Sequence, residues 1–198
     1  ACAPYRRLSL CNKNFQKINN DDSTNAKHNL LLDVCMAANY EAQSLKTYRE
    51  QYDAEYSSGS GHTTCTMLAR SFADIGDIIR GKDLYLGGNN KRRQQLEKNL
   101  KTIFEKIKGN NRKLSTLEDE EIREYWWELN RETIWEAMTC SEDLKNSSYF
   151  HATCSDSGDG KSQYQTQKQC RCGDGDVTIV PTYFDYVPQY LRWFEEWA

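Results

Sequence analysis

Long apolar runs and aliphatic side chains are scarce in this sequence. No stretch approaches the roughly 18 apolar residues that a membrane-spanning helix needs, and the mean hydropathy is −0.86. Leu, Ile, Val and Phe supply only 35 of the 198 residues, a share typical of disordered chains when the net charge is also high. Here the net charge is −3 and 12% of the residues are aromatic. We therefore predict no transmembrane segment, and a folded core that depends on Trp and Tyr side chains.

Groups suited to catalysis are equally rare. The three histidines are His28, His62 and His151, and none has the strand-turn-helix setting of a catalytic nucleophile. No serine lies in a G-x-S-x-G motif, and no glycine-rich phosphate-binding loop is present. We therefore predict that the chain is not an enzyme and that it takes no cofactor.

One pair of acids, Asp74 and Asp77, has a spacing that chemistry could use. The two residues are three apart in a helical pattern, so they share one helix face. Acids in this arrangement can bind a cation or work as an acid and a base. Arg70 and Arg80 are close enough in the sequence to pair with them. We favour a solvated or arginine-paired helix face over either of these functions.

The sequence contains eight cysteines, an even number that favours a disulfide-containing extracellular domain. A zinc site is the alternative, because His151, Cys154, Cys170 and Cys172 supply four ligands. However, C-x-C lacks the usual spacer between zinc ligands, and the 15 residues between Cys154 and Cys170 are mostly polar. We therefore expect disulfides and no metal. The cysteines are Cys2, Cys11, Cys35, Cys65, Cys140, Cys154, Cys170 and Cys172.

Apolar residues recur with helical spacing along most of the chain, and the predicted fold class is all-α. The first three amphipathic stripes cover residues 31–45, 65–79 and 96–107. The third stripe ends at Gly109-Asn110-Asn111, which is a strong helix stop signal.

A fourth helix is predicted to begin at a capping box formed by Ser115 and Glu118 and to run toward residue 140. Trp126, Trp127 and Trp135 lie at neighbouring angles of this helix, which predicts that a broad face is buried.

The last predicted helix runs from Pro188 to Trp197, with proline at the first helical position. Its apolar residues share one face. They are Val187, Tyr190, Leu191, Phe194 and Trp197. Residues 177–180 alone are typical of a strand.

Charge is segregated along the chain. Residues 91–113 carry nine bases and two acids, whereas residues 114–143 carry ten acids and two bases. Adjacent blocks of opposite sign are typical of two antiparallel helices whose charged faces attract each other. Bases that remain on the exterior would form a patch for anionic glycans, whereas the acidic sequence pI of 5.7 disfavours a nucleic-acid partner. The glycan-binding candidates are Lys91, Arg92, Arg93, Lys98, Lys101, Lys106, Lys108, Arg112 and Lys113.

Five ordered segments carry a family resemblance that covers essentially the whole chain. The segments are CAPYRRLSLC from Cys2 to Cys11, NLLLDVC ending at Cys35, ARSFADIGDIIRG from Ala69 to Gly81, YWWELNRETIWEAMTC from Tyr125 to Cys140, and VPQYLRWFEEW from Val187 to Trp197. Together they resemble the Duffy-binding-like domain. More narrowly, they are similar to the alpha class at the head of the Plasmodium falciparum erythrocyte membrane protein 1 adhesins.

The resemblance implies an adhesion domain with a helical bundle, long loops and no catalytic centre. Residues 1–60 would hold the end of subdomain 1 and the first long helix, and residues 61–198 would form the helical bundle of subdomain 2, so that the chain is a partial domain. Family members lie on the surface of the infected erythrocyte, and their only link to the membrane is a transmembrane segment elsewhere in the parent protein.

The resemblance also implies which molecules such a domain meets. Expected partners are receptors of the host erythrocyte or endothelium, heparan sulphate or blood-group glycans in rosetting, and host antibodies. The alternative function is an antigenically variable scaffold whose neighbouring domains do the binding.

A disulfide framework follows as a further expectation. We predict the bridges Cys35–Cys140, Cys65–Cys172 and Cys154–Cys170, one of the 15 pairings that six cysteines allow. In the resembled family, the cysteines that match Cys2 and Cys11 pair with partners upstream of this chain, so that here they would be free or paired with each other.

Overall fold

The computed structural model describes most of the chain, and its regular structure is almost entirely helical. It describes residues 2–11, 14, 18, 24–55, 64–85, 90–144, 147, 154–155, 163–164, 166, 169–173 and 180–197. The α-helices in these segments are α1 (Tyr5–Leu8), α2 (Ala26–Glu55), α3 (Thr64–Arg80), α4 (Asn90–Gly109), α5 (Asp119–Met138) and α6 (Gln189–Trp197). The all-α prediction is confirmed. None of the described helices combines the length and hydropathy needed to cross a bilayer.

Short elements connect the helices. Single turns of 3-10 helix cover Arg112–Leu114, Glu142–Leu144 and Phe184–Tyr186. Two antiparallel strands of two residues each, β1 (Cys154–Ser155) and β2 (Gln163–Tyr164), pair with Cys154 opposite Tyr164. The strand predicted at 177–180 falls largely on residues 177–179, which lie outside the described residues.

Three helices, α2, α3 and α5, pack against one another around the core, and α4 packs on α2 and α5. The centre of this arrangement is α3, in which every residue except the half-buried Met67 is buried. The sequence predicted an amphipathic helix here, with one polar face in water. The difference arises because the polar face of α3 is covered by charged partners from distant segments.

The tryptophans of α5 supply much of the core, as their angles predicted. Trp127 and Trp135 are fully buried. Their rings lie 5.0 Å and 5.3 Å from the ring of Phe72 on α3, distances at which aromatic pairs attract each other. The broad buried face predicted for this helix is therefore confirmed. Leu129, in contrast, is 75% exposed.

The start of α5 differs from the prediction. The capping box is formed by Glu118 and Glu121, with the Glu118 backbone N–H donating to the Glu121 carboxylate at 2.8 Å. Ser115 instead donates its hydroxyl to the Arg112 carbonyl at 2.7 Å, within the preceding turn. Glutamate replaces serine as the cap because a carboxylate also accepts a hydrogen bond from the N-terminal backbone amides of a helix.

The absence of a side chain at Gly76 makes room for Trp127. A Cβ atom added at Gly76 would lie 2.7 Å from Cζ2 of Trp127, well inside the distance of about 3.5 Å at which carbon atoms attract. The indole cannot easily retreat, because its Nε1 donates to Asp185 at 2.9 Å in a buried setting. The close approach of α3 to α5 therefore requires glycine at this position.

We expect Gly76→Ala to lower the free energy of unfolding by about 1–3 kcal/mol through overpacking, despite alanine's higher helix propensity. Urea unfolding measured by circular dichroism checks this. Gly109→Ala is the matched control, because nothing lies within 4 Å of the added Cβ there. Equal midpoints for the two variants would contradict the expectation.

Two disulfides form among the described cysteines, and they correct the predicted pairing. Cys65 bonds Cys170 and Cys154 bonds Cys172, so the predicted bridges Cys65–Cys172 and Cys154–Cys170 are wrong. The backbone at Cys170 adopts a left-handed φ of 56°, and its carbonyl accepts a hydrogen bond from Trp135 Nε1 at 3.1 Å. The hydrogen bond ties Cys170 to α5, and the bridge to Cys65 ties it to α3. With Cys154, Cys170 and Cys172 oxidised, the alternative zinc ligand set is consumed.

The predicted bridge between Cys35 and Cys140 is also wrong, because both are free thiols, like Cys2 and Cys11. Cys35 Sγ lies 3.9 Å from the carbonyl of Thr133. Cys140 comes seven residues after Thr133, which moves it about 10 Å along the helix axis and away from Cys35. A disulfide needs Cα atoms within about 7 Å of each other. Burial and the charge of Glu136 raise the pKa of the Cys35 thiol to about 11.

Candidate binding surfaces and family membership

The predicted basic residues lie on α4 and on the 3-10 turn that follows it. Leu100, Ile103, Phe104 and Ile107 fix the buried face of α4. A set of bases points to the exterior, and we call it the basic surface. It consists of Lys91, Arg93, Lys98, Lys101, Arg112 and Lys113, all of them exposed.

The remaining glycan candidates are less available. Lys106 and Lys108 are half-buried, and Lys108 Nζ donates to the carbonyl of Leu117 at 2.7 Å, which ties α4 to the start of α5. The side chain of Arg92 lies outside the described part of the structure. The predicted stripe is therefore narrower than the run of nine bases in the sequence.

One contact between the two charge blocks has the opposite polarity to the one expected. This ion pair joins Glu97 of the basic helix to Arg123 of the acidic helix, at 2.7 Å. Arg123 also lies over the ring of Phe104, 5.3 Å from its centre. At this contact the basic helix supplies an acid and the acidic helix supplies a base. Lys98 and Lys101 of α4 remain exposed to water.

Asp74 and Asp77 are paired with arginines, as we favoured, but mostly with arginines from distant segments. Asp74 accepts from Arg6 and from Arg192, each at 2.7 Å. Asp77 accepts from Arg192 at 2.6 Å and from Arg80 at 3.0 Å. We call this the ion-pair cluster; it consists of Arg6, Asp74, Asp77, Arg80, Arg192 and Glu196.

The ion-pair cluster is inaccessible to a substrate. Asp74 has no exposed surface, and the three arginines of the cluster are at most 6% exposed. Arg6 completes its hydrogen bonds with Glu196 at 2.9 Å and with the hydroxyl of Ser71 at 2.9 Å. With its charges matched and its donors occupied, the cluster joins α1, α3 and α6 and offers no open acid or base.

The carboxyl groups around the ion-pair cluster have pKa values displaced in opposite directions. Burial by itself would raise the pKa of Asp74, but Arg6 and Arg192 hold it below its ordinary value. Burial raises the pKa of Asp77 despite its arginine partners. Burial likewise raises the pKa of Glu41 on α2, whose carboxylate accepts from the hydroxyl of Ser71 at 2.6 Å. Burial around α3 thus raises two of these pKa values, whereas at Asp74 the arginines outweigh it.

The apolar residues of the last helix share one face, as predicted, and that face points outward. Tyr190, Leu191, Phe194 and Trp197 are all exposed. The inward face of α6 is the polar series spaced three or four residues apart, Gln189, Arg192 and Glu196, together with Trp193. Hydrophobicity alone could not reveal this orientation, because the acids that attract Arg192 lie more than 100 residues earlier in the chain.

These features define a disulfide-linked helical domain. The acids that share a helix face are neutralised inside the fold, and two disulfides fix the segments around α3. The described surface carries exposed charges, aromatic rings and aliphatic side chains.

Comparison with known proteins shows which family the chain belongs to. The sequence profile of the Duffy binding domain matches residues 1–192, and the chain belongs to the Duffy binding domain family, whose members are receptor-binding adhesion modules. The crystal structure of the NTS-DBL1(alpha-1) domain of the Plasmodium falciparum membrane protein 1 (PfEMP1) from the varO strain is 36% identical, with a TM-score of 0.76. The match covers 100% of this chain and 43% of that one.

More distant relatives extend the comparison. A PfEMP1 DBLb domain bound to human ICAM-1 is 30% identical, with a TM-score of 0.62, over 97% of this chain and 38% of that one. The Duffy receptor beta form of Plasmodium knowlesi is 27% identical over 205 residues, which cover 100% of this chain and 14% of that protein. Identity to the alpha-class structures, 36% and 35%, exceeds the 28–30% found for the beta-class structures. The alpha-class prediction is confirmed.

Proposed function

We propose that the chain is part of a host-cell adhesion domain exposed on infected erythrocytes, and that its basic surface binds sulphated glycans such as heparan sulphate. Two relatives support a receptor-binding role: one is named as a Duffy receptor, and another was solved bound to human ICAM-1. The chain spans 14% of the first and 38% of the second. Contact with red-cell glycans, including blood-group sugars, would serve rosetting.

The observation that carries the glycan proposal is the outward orientation of the bases on α4. Lys98 and Lys101 are exposed on the helix, and Arg112 and Lys113 are exposed just beyond its end. Sulphated polymers repeat their negative charge along an extended chain, so a row of bases on one elongated element can contact several sulphates at once.

We expect the triple substitution Lys98→Ser, Lys101→Ser and Arg112→Ser to weaken heparin binding about tenfold, which corresponds to about 1.4 kcal/mol. The reason is that the three charges removed are exposed and contribute to binding by direct Coulomb attraction. Surface plasmon resonance on immobilised heparin measures the affinity. Binding by the unaltered chain should also fall steeply with salt, because the Debye length shortens from about 10 Å at 0.1 M to about 3 Å at 1 M.

The matched control removes the same charge from other faces through Lys27→Ser, Lys46→Ser and Lys82→Ser, all exposed positions. This variant should retain heparin affinity, and circular dichroism should show both variants folded. An equal loss in the two variants would indicate a general charge effect. Full retention in the first would refute the basic surface as the glycan site and favour the scaffold function.

A further inference from the structure

One exposed stripe of α2 carries no charge over more than four helical turns. Lys46 is also exposed on α2, beside this stripe, and pairs with Asp143 at 2.7 Å. The residues at the outermost positions are spaced three or four apart, so they form one continuous stripe. Three are large and apolar, with Leu32 62%, Met36 37% and Tyr40 46% exposed. The stripe consists of Asn29, Leu32, Met36, Tyr40, Gln43 and Thr47. A helix face in contact only with water is ordinarily rich in Lys and Glu.

The neighbouring helix α5 forms the other side of a groove. Contacts between the two helices proceed in the same direction along both chains: Cys35 with Thr133, then Asn39 with Ala137 at 3.3 Å. Leu129 lies one turn before Thr133 and is 75% exposed. The apolar side chains of α2 and Leu129 of α5 therefore border one groove between two parallel helices, which we call the α2–α5 groove.

A cavity of about 650 Å³ lies at the far end of the α2–α5 groove. Apolar walls come from Ala42, Leu68 and Met138, and the thiol of Cys140 lies in its lining. Asn39 Nδ2 donates to Cys140 Sγ at 3.1 Å. A large side chain at the end of a bound segment would find space here.

One rim of the α2–α5 groove is acidic. Glu132 and Glu136 are exposed on α5, one turn apart, and Glu136 lies close enough to α2 for its charge to raise the pKa of Cys35. An α-helix turns by 100° per residue, so Leu129 and Thr133 lie between these acids and α2. The groove thus combines an uncharged floor with negative charge along one side.

We propose that the α2–α5 groove binds an amphipathic helix of another protein whose apolar face is flanked by Lys or Arg. Charge complementarity selects this occupant, because the acidic rim attracts bases and repels a helix flanked by Glu or Asp. The groove from Leu32 to Lys46 is about 21 Å long, enough for about four helical turns. In helix-in-groove recognition the bound helix presents apolar anchors at i, i+3, i+4 and i+7. Leu32, Met36 and Tyr40, one turn apart along α2, offer apolar contacts to such anchors.

This site is separate from the basic surface in position and in the sign of its charge. The glycan proposal uses Lys98 and Lys101 of α4, whereas the present one uses Met36 of α2 and Glu132 of α5. Either can fail without affecting the other.

The test uses two synthetic 18-residue helical peptides with the same leucine face, one flanked by Lys and the other by Glu. We expect the Lys peptide to bind the chain, as measured by fluorescence anisotropy, and to slow alkylation of Cys140, as measured by mass spectrometry of the Cys140 peptide. Met36→Lys and Glu132→Lys should each weaken its binding at least tenfold. The Glu peptide should bind at least tenfold more weakly than the Lys peptide.

Matched controls place the same substitutions elsewhere on the surface, as Leu84→Lys for the apolar change and Glu105→Lys for the charge change, both at exposed positions. They should leave peptide affinity unchanged. Equal binding of the two peptides, or an affinity insensitive to Met36→Lys, would overturn the proposal. So would a chain that self-associates through this face, shown by a dimer that Met36→Lys converts to monomer, because the occupant would then be a second copy.

Discussion

Replacement of Asp74 by alanine is expected to lower the free energy of unfolding by about 3–5 kcal/mol, the usual cost of breaking a buried ion pair from one side. Asp74 has no exposed surface. Its carboxylate accepts from Arg6 and Arg192, each at 2.7 Å, and from Gln189 Nε2 at 3.1 Å. Without the carboxylate, two guanidinium groups would face each other inside the fold with one negative charge fewer. The energetic loss comes mainly from those uncompensated charges.

Urea unfolding at pH 7, followed by circular dichroism, measures the effect. Asp74→Asn should be nearly as destabilising, because it retains the shape of the side chain but removes the charge. Asp143→Asn is the control, since its ion pair with Lys46 is largely exposed and such pairs contribute little. If Asp74→Asn were as stable as the unaltered chain, the charge of Asp74 would be unimportant and hydrogen bonding alone would hold the segments together.

The effect of Asp74→Ala on stability has a characteristic pH dependence. Because the pKa of Asp74 is held below its ordinary value of 3.8, its ionised form stabilises the fold at pH values above 3.8, and that contribution is lost as the pH falls through the lower folded value. The difference in stability between Asp74→Ala and the unaltered chain should therefore be full at neutral pH and shrink below 3.8. Burial raises the pKa values of Asp77 and Glu41. Their contribution to stability therefore has the opposite pH dependence and falls as the pH rises.

The sequence predicts the helices well because helical periodicity is a local property. The stripe at 65–79 corresponds to α3 at Thr64–Arg80, and the stop at Gly109 marks the end of α4. Errors arise where two local signals compete. Both Ser115 and Glu118 can cap a helix, and the acids that follow favour the carboxylate at the later position.

The ion-pair cluster could be predicted only in part. Asp74 and Asp77 on one helix face indicated arginine partners, but Arg6 is 68 residues and Arg192 118 residues from Asp74. No local pattern specifies such partners. The orientation of α6 depends on the same contact, because Arg192 turns inward to reach α3 and the apolar residues of α6 are left outside.

The candidate surfaces could also be predicted only in part from the sequence. Charge counting located the basic run on α4, but only the packing of Ile103 and Phe104 into the core determines which of its bases reach water. The α2–α5 groove depends on the parallel alignment of two helices about 100 residues apart. The sequence predicted the apolar stripe at 31–45, but not that other residues of α2 and acids of α5 border one groove.

The second large effect concerns the two disulfides. We expect removal of the Cys65–Cys170 bridge by the double substitution Cys65→Ala and Cys170→Ala to cost about 4–5 kcal/mol. Removal of Cys154–Cys172 by the equivalent pair should cost about 3 kcal/mol. The bridges close loops that differ in sequence separation, 105 against 18 residues. A bridge that closes a longer loop removes more conformational entropy from the unfolded chain. Removing that bridge therefore stabilises the unfolded chain more.

Guanidinium unfolding of the oxidised proteins measures both costs, and peptide mapping under non-reducing conditions verifies the pairing on which they depend. Each double substitution removes both sulfurs, so no new free thiol is left to exchange with Cys35 or Cys140. The swapped arrangement, Cys65–Cys172 with Cys154–Cys170, would close loops of nearly the same lengths, so stability alone cannot identify the partners and the mapping is decisive. A Cys65 peptide linked to Cys172 would contradict the structure. If the two double variants instead lost equal stability, loop entropy would not be the source of the difference, and packing around the buried sulfurs of Cys65 and Cys170 would have to be measured by replacing each pair with valine.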